Sequence, residues 1–223
     1  MNQDEIRKRL LNLDTACICD AGKALQRKLR VMESYMRPIH QGIKLVGAAH
    51  TVRCHDDFLT VIKALRDAEP GEVIVIDSQD SRKALTGELF PTEALRKGLA
   101  GIVNDGPCRD TSVVRNMKIP YYAKTICCSP GTANKLFETQ IPVNCGGVTV
   151  HPGDLLFGDE DGVIVTDVNE LSLLIPVAES IQQTEGRLLN QMQQGVSLFA
   201  MLNFDEHCAA IRAGKKSQLE FQV

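Results

Sequence analysis

The chain has 223 residues, of which 43% are hydrophobic and 24% are charged, and its formal net charge at pH 7 is -3. This length predicts one globular domain over residues 1–223 with a substantial core, rather than two full domains. The weak negative charge excludes a polyanion-binding surface, so we expect no nucleic-acid partner. No stretch approaches the ~20 apolar residues of a membrane span, and no secretory segment is present, so we expect a cytoplasmic protein without a membrane partner.

Eight cysteines occur, and no two of them have the C-x-x-C spacing of a zinc site or a dithiol redox centre. We therefore expect reduced thiols that are mostly buried as small hydrophobic side chains, Cys17, Cys19 and Cys145 among them. Cys108 lies in a Gly-rich loop and is able to line a site. No histidine lies near it in sequence, so the pattern argues against a cysteine nucleophile.

The first part of the chain alternates helical and strand patterns. Asp14 and Thr15 are suitable caps for the segment that follows the first helix. Amphipathic spacing predicts helices over 4–13, 58–68, 92–97 and 111–116. Apolar runs predict a bent strand over 43–54, a buried strand over 72–77, and strands over 101–104 and 119–123, before a Ser/Pro/Gly-rich loop over 125–135.

The pattern changes after residue 140. Short apolar runs separated by Gly, Pro and Asp predict tightly turned strands over 142–144, 148–150, 154–158 and 162–165. A long amphipathic helix is predicted over 169–194, followed by a tail with a short helix and a polar end. The chain is therefore predicted to be one α/β domain with an N-terminal helix and a C-terminal helix and tail.

Acidic residues recur at or just after the predicted strand ends, where ligands gather in open α/β sheets: Asp77, Asp80, Glu88, Asp105 and Asp110. Each has an alternative interpretation, because acids in turns accept backbone N–H bonds. Between Gly87 and Asp110 the segment GELFPTEALRKGLAGIVNDGPCRD predicts a helix and a strand that bring Glu88, Arg109 and Asp110 together at one mouth.

An arginine beside two carboxylates can hold a divalent cation and an organic acid together, with the guanidinium forking onto a carboxylate. Gly87 to Phe90 is predicted to be a turn whose amides point at one locus, as in an anion nest. The oxygen-rich set favours Mg²⁺ or Mn²⁺ over zinc. Alternatively, Asp110 caps the following helix and Arg109 is a surface charge. The five histidines do not cluster, and no P-loop, G-x-G-x-x-G or nucleophile elbow occurs.

Two ordered segments resemble the regulator of ribonuclease E activity A-like (RraA-like) family. The first is EVIVID at 72–77 followed by the segment from Gly87 to Asp110, and the second is PVNCGGVTVHPGDLLFGDEDGVIV at 142–165. The family includes class II 4-hydroxy-4-methyl-2-oxoglutarate/4-carboxy-4-hydroxy-2-oxoadipate aldolases. The resemblance implies a swivelling-type layered β/β/α domain that assembles as a homotrimer or hexamer, with the active site at the subunit interface.

The resemblance also implies residue roles. Asp110 would bind a largely hydrated Mg²⁺ or Mn²⁺, and Glu88 would hold the cation through water. Arg109 would bind the carboxylate of a 2-oxo acid, and the amides of Leu89 and Phe90, next to Gly87, would contact its pyruvate part. A glutamate of a neighbouring subunit's late helix corresponds to Glu185 by spacing.

One position departs from the aldolase pattern: Val113 stands where the aldolases carry an acid. The implied activity is a metal-dependent lyase that releases pyruvate, as an aldolase or as an oxaloacetate decarboxylase, and decarboxylation is the version expected without that acid. The cation serves as the electron sink, so Lys124 is not needed as a Schiff base. The alternatives are a ring-shaped protein-binding regulator of ribonuclease E-type activity, or a lyase or hydrolase for another small acid. Cys108, Tyr121 and Tyr122 are expected to shape the pocket.

Overall fold

Two short helices open the chain in the computed structural model, which describes residues 1–40 and 42–222. They are α1 (Gln3–Leu10) and α2 (Thr15–Ala24). The side chain of Asn2 caps the first by accepting from the amide of Glu5, and Asp14 caps the second by accepting from the amide of Cys17, each at 2.8 Å. The predicted capping role of Asp14 is therefore confirmed.

A mixed eight-stranded sheet organises the molecule. Its strands are β1 (Arg30–Val31), β2 (Arg37–Pro38), β3 (Leu45–Arg53), β4 (Glu72–Asp77), β5 (Gly101–Cys108), β6 (Tyr121–Ile126), β9 (Leu155–Gly158) and β10 (Val163–Thr166), in the order β1-β10-β9-β3-β4-β5-β6-β2. Strands β3 to β6 run parallel to one another, and the other pairings are antiparallel. A separate antiparallel pair, β7 (Val143–Cys145) and β8 (Val148–Val150), forms a second small sheet.

Helices cover the sheet through separate apolar clusters. The remaining helices are α3 (Leu59–Asp67), α4 (Leu89–Arg96), α5 (Thr111–Val114), α6 (Val168–Gln193) and α7 (Phe204–Arg212), with a 3-10 turn at Leu198–Met201. Side chains of α3, α4 and α5 pack on β4 to β6, while α1, α2 and α6 pack on β9 and β10. The β7–β8 pair encloses a third cluster on the other side of the central strands. The predicted α/β class is confirmed, and within the described residues no helix is both long and apolar enough to cross a bilayer.

The strand predicted over 43–54 is present as β3, which runs without interruption from Leu45 to Arg53. Two of its polar side chains have a polar partner nearby, whereas the buried His50 Nε2 and Arg53 Nε have none among the described residues. His50 Nδ1 lies 3.0 Å from Glu72, and the Thr51 hydroxyl donates to the Ile141 carbonyl at 2.7 Å. The interior of a strand can therefore hold polar residues where neighbouring segments supply partners.

The strand predicted over 101–104 continues to Cys108, so Asp105 lies inside β5 and not at its end. After a register irregularity between Asn104 and Pro107, the strand resumes pairing with β6. Strand β6 correspondingly runs to Ile126, into the predicted loop. The helix predicted over 92–97 begins earlier, at Leu89. Strand β5 therefore ends directly before Arg109, and α4 begins directly after Glu88.

Candidate functional site

The end of β5 places Arg109 and Asp110 beside Gly87 and Glu88. A β-bridge joins Thr86 to Cys108, and the Arg109 amide donates to the Thr86 carbonyl at 3.1 Å. The residues that follow on each side therefore meet as neighbours, although they are far apart in sequence. The Glu88 amide donates to Asp110 Oδ2 at 3.2 Å, and Arg109 Nε lies 3.5 Å from the same oxygen. The backbone of Glu88 and the side chains of Arg109 and Asp110 therefore converge, as predicted, and Gly87 lies beside them.

Gly87 allows this close approach because it has no side chain. A Cβ at this position would overlap with Asp110 Oδ2 and lie 3.1 Å from Arg109 Nε. Glycine therefore stands at the position where the Arg109 guanidinium and the Asp110 carboxylate lie closest to the backbone. Arg109 and Asp110 remain partly exposed, with side-chain exposures of 43% and 37%, so both groups are accessible from the pocket.

The capping interpretation of Asp110 is wrong. Asp110 precedes α5 but has a left-handed φ of 56°, and its side chain makes no capping hydrogen bond. Its carboxylate is directed instead at the Glu88 amide. Aspartate is among the non-glycine residues that tolerate this backbone region. The strained backbone therefore accompanies an orientation toward the pocket and not toward the helix.

The turn predicted from Gly87 to Phe90 is present at Glu88 and leads directly into α4, which begins at Leu89. The Phe90 amide donates to the Gly87 carbonyl at 3.2 Å, so one of the two amides expected to contact a ligand already has a partner. Helix N-termini carry a partial positive charge and favour anions nearby. The Leu89 side chain is 75% exposed and extends away from the core.

The donor chemistry of this mouth fits a hydrated hard cation. Asp110 uses Oδ2 for the Glu88 amide, which leaves its second oxygen for a cation or its water, and Glu88, a second acidic residue, lines the same pocket. Mg²⁺ is commonly bound through one or two carboxylates while it keeps several waters. In the described part of the chain, no group of three or more His, Cys, Asp or Glu side chains forms a complete protein cage for a metal.

Glu185 lies elsewhere in its own chain. It belongs to α6, its carboxylate accepts from the Cys17 thiol at 3.6 Å, and it does not line the pocket. Burial, with Asp14 and Glu185 adding to it, raises the pKa of Cys17 to about 12. The role of Glu185 in a neighbouring subunit's site stays a prediction.

Three residues expected to shape the pocket are fully buried and do not line it: Cys108, Tyr121 and Tyr122, the last of which packs in the cluster on the other side of the sheet. The Tyr121 hydroxyl contacts the hydroxyl of Thr86, and Asn104 donates to that hydroxyl and to the Pro107 carbonyl, both at 3.1 Å. These bonds brace the bridge that sets the mouth. Burial raises the pKa of Cys108 to about 11, so the thiol is protonated at neutral pH and is unsuited to be a nucleophile.

Sequence reasoning missed the apolar wall of the pocket. A cavity of about 540 Å³ extends from Arg109 and Asp110 over a surface formed largely by Phe58, Ile62, Leu65, Leu85, Phe90 and Pro130. The rings of Phe58 and Phe90 meet edge to face, with centroids 5.9 Å apart. The helical spacing of Phe58, Ile62 and Leu65 predicts a helix over 58–68 but not a pocket wall. Ile62 is 46% exposed, so this face is shared between core and pocket.

A buried aspartate fixes this wall. Asp57 Oδ2 accepts from the Thr132 hydroxyl at 2.6 Å and from the Asn134 amide at 2.7 Å, while Oδ1 accepts from the Leu59 amide at 3.0 Å. Burial alone would raise the pKa of Asp57, but these hydrogen bonds outweigh burial and hold it below its ordinary value. The carboxylate thus ties the loop that follows Pro130 to the start of α3.

The other strand-end acids form a separate cluster. Lys124 Nζ lies 3.0 Å from Asp80 and 3.4 Å from Asp105, and Asp105 also accepts from the Gly146 amide at 2.9 Å. Asp77 accepts from the amides of Gln79 and Asn144. For Asp77 and Asp105, the alternative of acids that accept backbone N–H bonds is therefore confirmed. The hydrogen bond to Asp80 raises the pKa of Lys124, which keeps the amine protonated.

Comparison with known proteins identifies the group to which this architecture belongs. The family described as RraA-like, Aldolase/RraA, matches residues 15–165. A Halalkalibacterium halodurans protein named "Putative 4-hydroxy-4-methyl-2-oxoglutarate aldolase" is 34% identical over 169 residues, covering 74% of this chain and 79% of that protein.

Solved structures agree. An uncharacterized protein from Pseudomonas syringae pv. tomato superimposes with a TM-score of 0.76 at 26% identity, over 88% of this chain and 96% of that one. The RNA-processing inhibitor RraA from Thermus thermophilis superimposes with a TM-score of 0.61 at 28% identity, over 66% of this chain and 90% of that one. The chain belongs to the RraA-like family and has its layered α/β fold, as the two sequence segments predict.

Proposed function

We propose that this RraA-like protein is a divalent-metal-dependent lyase that cleaves a C–C bond of a 2-oxo acid and releases pyruvate. The observation that carries the proposal is the convergence of Gly87, Glu88, Arg109 and Asp110 at one pocket. The relationship to proteins named as aldolases supports the same class of reaction. Both aldol cleavage and oxaloacetate decarboxylation fit, because each leaves the electron pair of the broken bond on C3 of pyruvate.

Arg109 binds the carboxylate of the 2-oxo acid. Among the residues that the structure describes, its ionic partner is Asp110, at 3.5 Å, so the guanidinium retains donors for a planar anion. Asp110 and Glu88 are the residues that would hold Mg²⁺ or Mn²⁺. When bound, the cation supplies Lewis-acid polarisation of the 2-oxo group. Gly87 leaves room for the side chains of Arg109 and Asp110 to lie together against the backbone.

Glu88 has the second task of holding a proton near C3. Glu88 lines the pocket immediately before α4 and is partly exposed. A carboxylate positioned there can accept a proton directly or through water and return it to the carbon. The cluster around Lys124 is not needed, because that amine is protonated, is paired with two acids, and does not line the pocket.

Assembly into a homotrimer or hexamer completes the proposal. Leu89, beside the mouth, and Leu136 are 75% and 67% exposed, and such large apolar groups are commonly covered in an oligomer. Val113 is 44% exposed on α5, close in sequence to Asp110. Because no acid stands at this position, oxaloacetate decarboxylation is the reaction we expect to be faster.

The test measures pyruvate release from oxaloacetate and from 4-hydroxy-4-methyl-2-oxoglutarate, with Mg²⁺, with Mn²⁺ and with EDTA. Metal-dependent turnover that is abolished by EDTA and reduced at least about 100-fold in Asp110→Ala is the expected result. Asp80→Ala is the matched control, since Asp80 is an exposed acid of the Lys124 cluster, and it should retain full turnover.

A regulator without catalysis is the second candidate, favoured by the similarity to the RNA-processing inhibitor RraA. It predicts no pyruvate release from either substrate and inhibition of a ribonuclease E-type enzyme that survives Asp110→Ala. That combination of results would replace the lyase proposal.

A further inference from the structure

We infer that the apolar wall of the pocket is a docking groove for helix α7 of a second copy of this chain. The inference rests on the proposed function in one respect, the assembly into an oligomer, and not on the lyase reaction. Phe58 meets Phe90 where α3 and α4 begin, and Lys97 donates to the carbonyls of Leu65 and Arg66 where α3 ends. The two helices therefore run in the same direction, and the pocket lies along both of them as a groove, which we call the α3–α4 groove.

The α3–α4 groove is larger than the substrates of the proposed reaction require. Its volume of about 540 Å³ is typical of a site for a drug-sized ligand, whereas oxaloacetate is a four-carbon acid. Beyond Arg109 and Asp110 the groove follows α3 from Phe58 to Arg66, a distance of about 12 Å along the helix axis. A small acid at the mouth leaves most of this apolar surface in contact with solvent, and such patches mark protein–protein contacts.

Helix α7 has an apolar face that its own chain leaves uncovered. None of its nine residues, all of which the structure describes, is buried. Phe204 and Ile211 are 41% and 55% exposed, and their separation of seven residues places them on one side of the helix. Phe199 extends this face, because its ring meets that of Phe204 with centroids 5.5 Å apart. The length of α7, about 13 Å, matches the groove. Every chain carries one groove and one α7, so a second copy supplies this helix in equal number.

The charges of the groove differ between its two ends. The mouth has two acids and one arginine, whereas the far end has three basic residues: Arg66, Arg96 and Lys97. Arg66 and Arg96 each pair with an acid of their own helix, but their side chains are 74% and 71% exposed. Surface pairs of this kind contribute little to stability, so both guanidinium groups can engage a further carboxylate.

Helix α7 carries the complementary charges. Asp205 and Glu206 lie in its first turn, and Arg212 lies in its last turn. An orientation antiparallel to α3 and α4 brings the two acids to the basic far end of the groove and brings Arg212 of the partner subunit to the mouth, beside Glu88. The same orientation opposes the dipole of α7 to those of α3 and α4, which is favourable. Charge therefore selects this direction of docking, in which the partner adds a basic residue to the site.

The first experiment reverses charges and measures the dissociation constant of the assembly by sedimentation velocity of the full-length protein. We expect Arg96→Glu and Glu206→Arg each to weaken the assembly at least about tenfold, because each places like charges together. The double variant should recover most of this loss, since the two reversed charges attract again. Asp20→Arg is the matched control, because Asp20 is an exposed acid of α2 outside the groove, and it should leave the constant unchanged.

The second experiment uses the absence of tryptophan from the sequence. Ile62→Trp places a single tryptophan in the groove, and its fluorescence reports whether the groove is covered. We expect emission at short wavelength in the assembly and a shift to longer wavelength on dilution. Adding Ile211→Glu should produce the same shift without dilution. Adding Leu11→Glu instead should not, because Leu11 is an exposed apolar residue outside the groove.

Docking and catalysis can fail separately. Charge reversals that do not compensate one another would overturn the docking, as would emission at short wavelength that persists after dilution to monomers, since α7 of the same chain would then cover the groove. A protein that is monomeric at every concentration would also overturn it, while the pyruvate-release test would still decide the lyase reaction. Compensating charge reversals in a protein without turnover would confirm the docking and remove the lyase.

Discussion

Two clusters at the same end of the parallel strands have similar compositions and different chemistry. The mouth at Arg109 and the cluster at Lys124 each combine one basic side chain with two acids. At Lys124 the charges neutralise one another at 3.0 and 3.4 Å, and Asp105 also accepts a backbone amide. At the mouth, Arg109 has only a 3.5 Å contact with Asp110. Residue types alone therefore do not distinguish a ligand site from a structural ion cluster. The distinction lies in whether the basic side chain is already held by close ion pairs.

The strongest test of this contrast is Arg109→Lys. Lysine keeps the charge but loses the planar fork, so kcat/KM for pyruvate release should fall about 100-fold, equivalent to about 2.7 kcal/mol. Arg82→Lys provides the control, because Arg82 lies beside Lys124 and outside the mouth. An unchanged kcat/KM in Arg109→Lys would contradict the proposed carboxylate contact.

The wall of the mouth is tested by Asp57→Asn, which removes a carboxylate that accepts four hydrogen bonds. We expect a loss of about 2 kcal/mol of stability at neutral pH. Because the pKa of Asp57 is lowered on folding, this contribution is present above its ordinary value of 3.8 and is lost as the pH falls through the folded value. The difference in Tm between the two proteins should therefore be full at pH 7 and shrink in acid. A difference that grows in acid would refute the assignment.

The close approach at the mouth is tested by Gly87→Ala. The added Cβ would displace Asp110 and press on Arg109, so kcat/KM should fall about tenfold, or about 1.4 kcal/mol, with little change in Tm. Gly186→Ala is the control, since it lies in α6 with no heavy atom within 4 Å of the added carbon. That change should leave activity intact and raise stability slightly, because alanine favours a helix. Equal activity in both variants would mean that crowding at position 87 does not control the site.

The smallest effect is expected from Lys124→Met. Removing the amine leaves Asp105 without its ion pair, so we expect a loss of about 1 kcal/mol and a Tm lower by about 2–4 °C, with pyruvate release retained. The pKa of Lys124 is raised on folding. Its contribution is therefore complete below its ordinary value of 10.5 and is lost as the pH rises through the folded value. Thermal melts from neutral to alkaline pH measure this difference. Loss of turnover would instead indicate amine chemistry and contradict the metal-dependent proposal.

Part of the site could be predicted because its signals are local in the chain. Gly87-Glu88 and Arg109-Asp110 each occupy adjacent residues and can be recognised separately, and the bridge between Thr86 and Cys108 then brings the two together. The apolar wall gave no such signal. Ile62 and Leu65 repeat with the period of any amphipathic helix, so the pattern cannot distinguish a face that packs against the core from one that lines a cavity.

The sequence by itself determined the α/β class, most of the elements, and the residues that meet at the mouth, because periodicity and glycine-rich turns are encoded locally. Only the tertiary structure decided how those residues are used. The length of β5 and the left-handed backbone at Asp110 direct its carboxylate to Glu88 and not to a helix cap. Likewise, the charge of Lys124 is paired because β5 and the loop after β4 bring Asp105 and Asp80 to it. Pairing and burial arise between distant segments, so they are properties of the fold and not of any single segment.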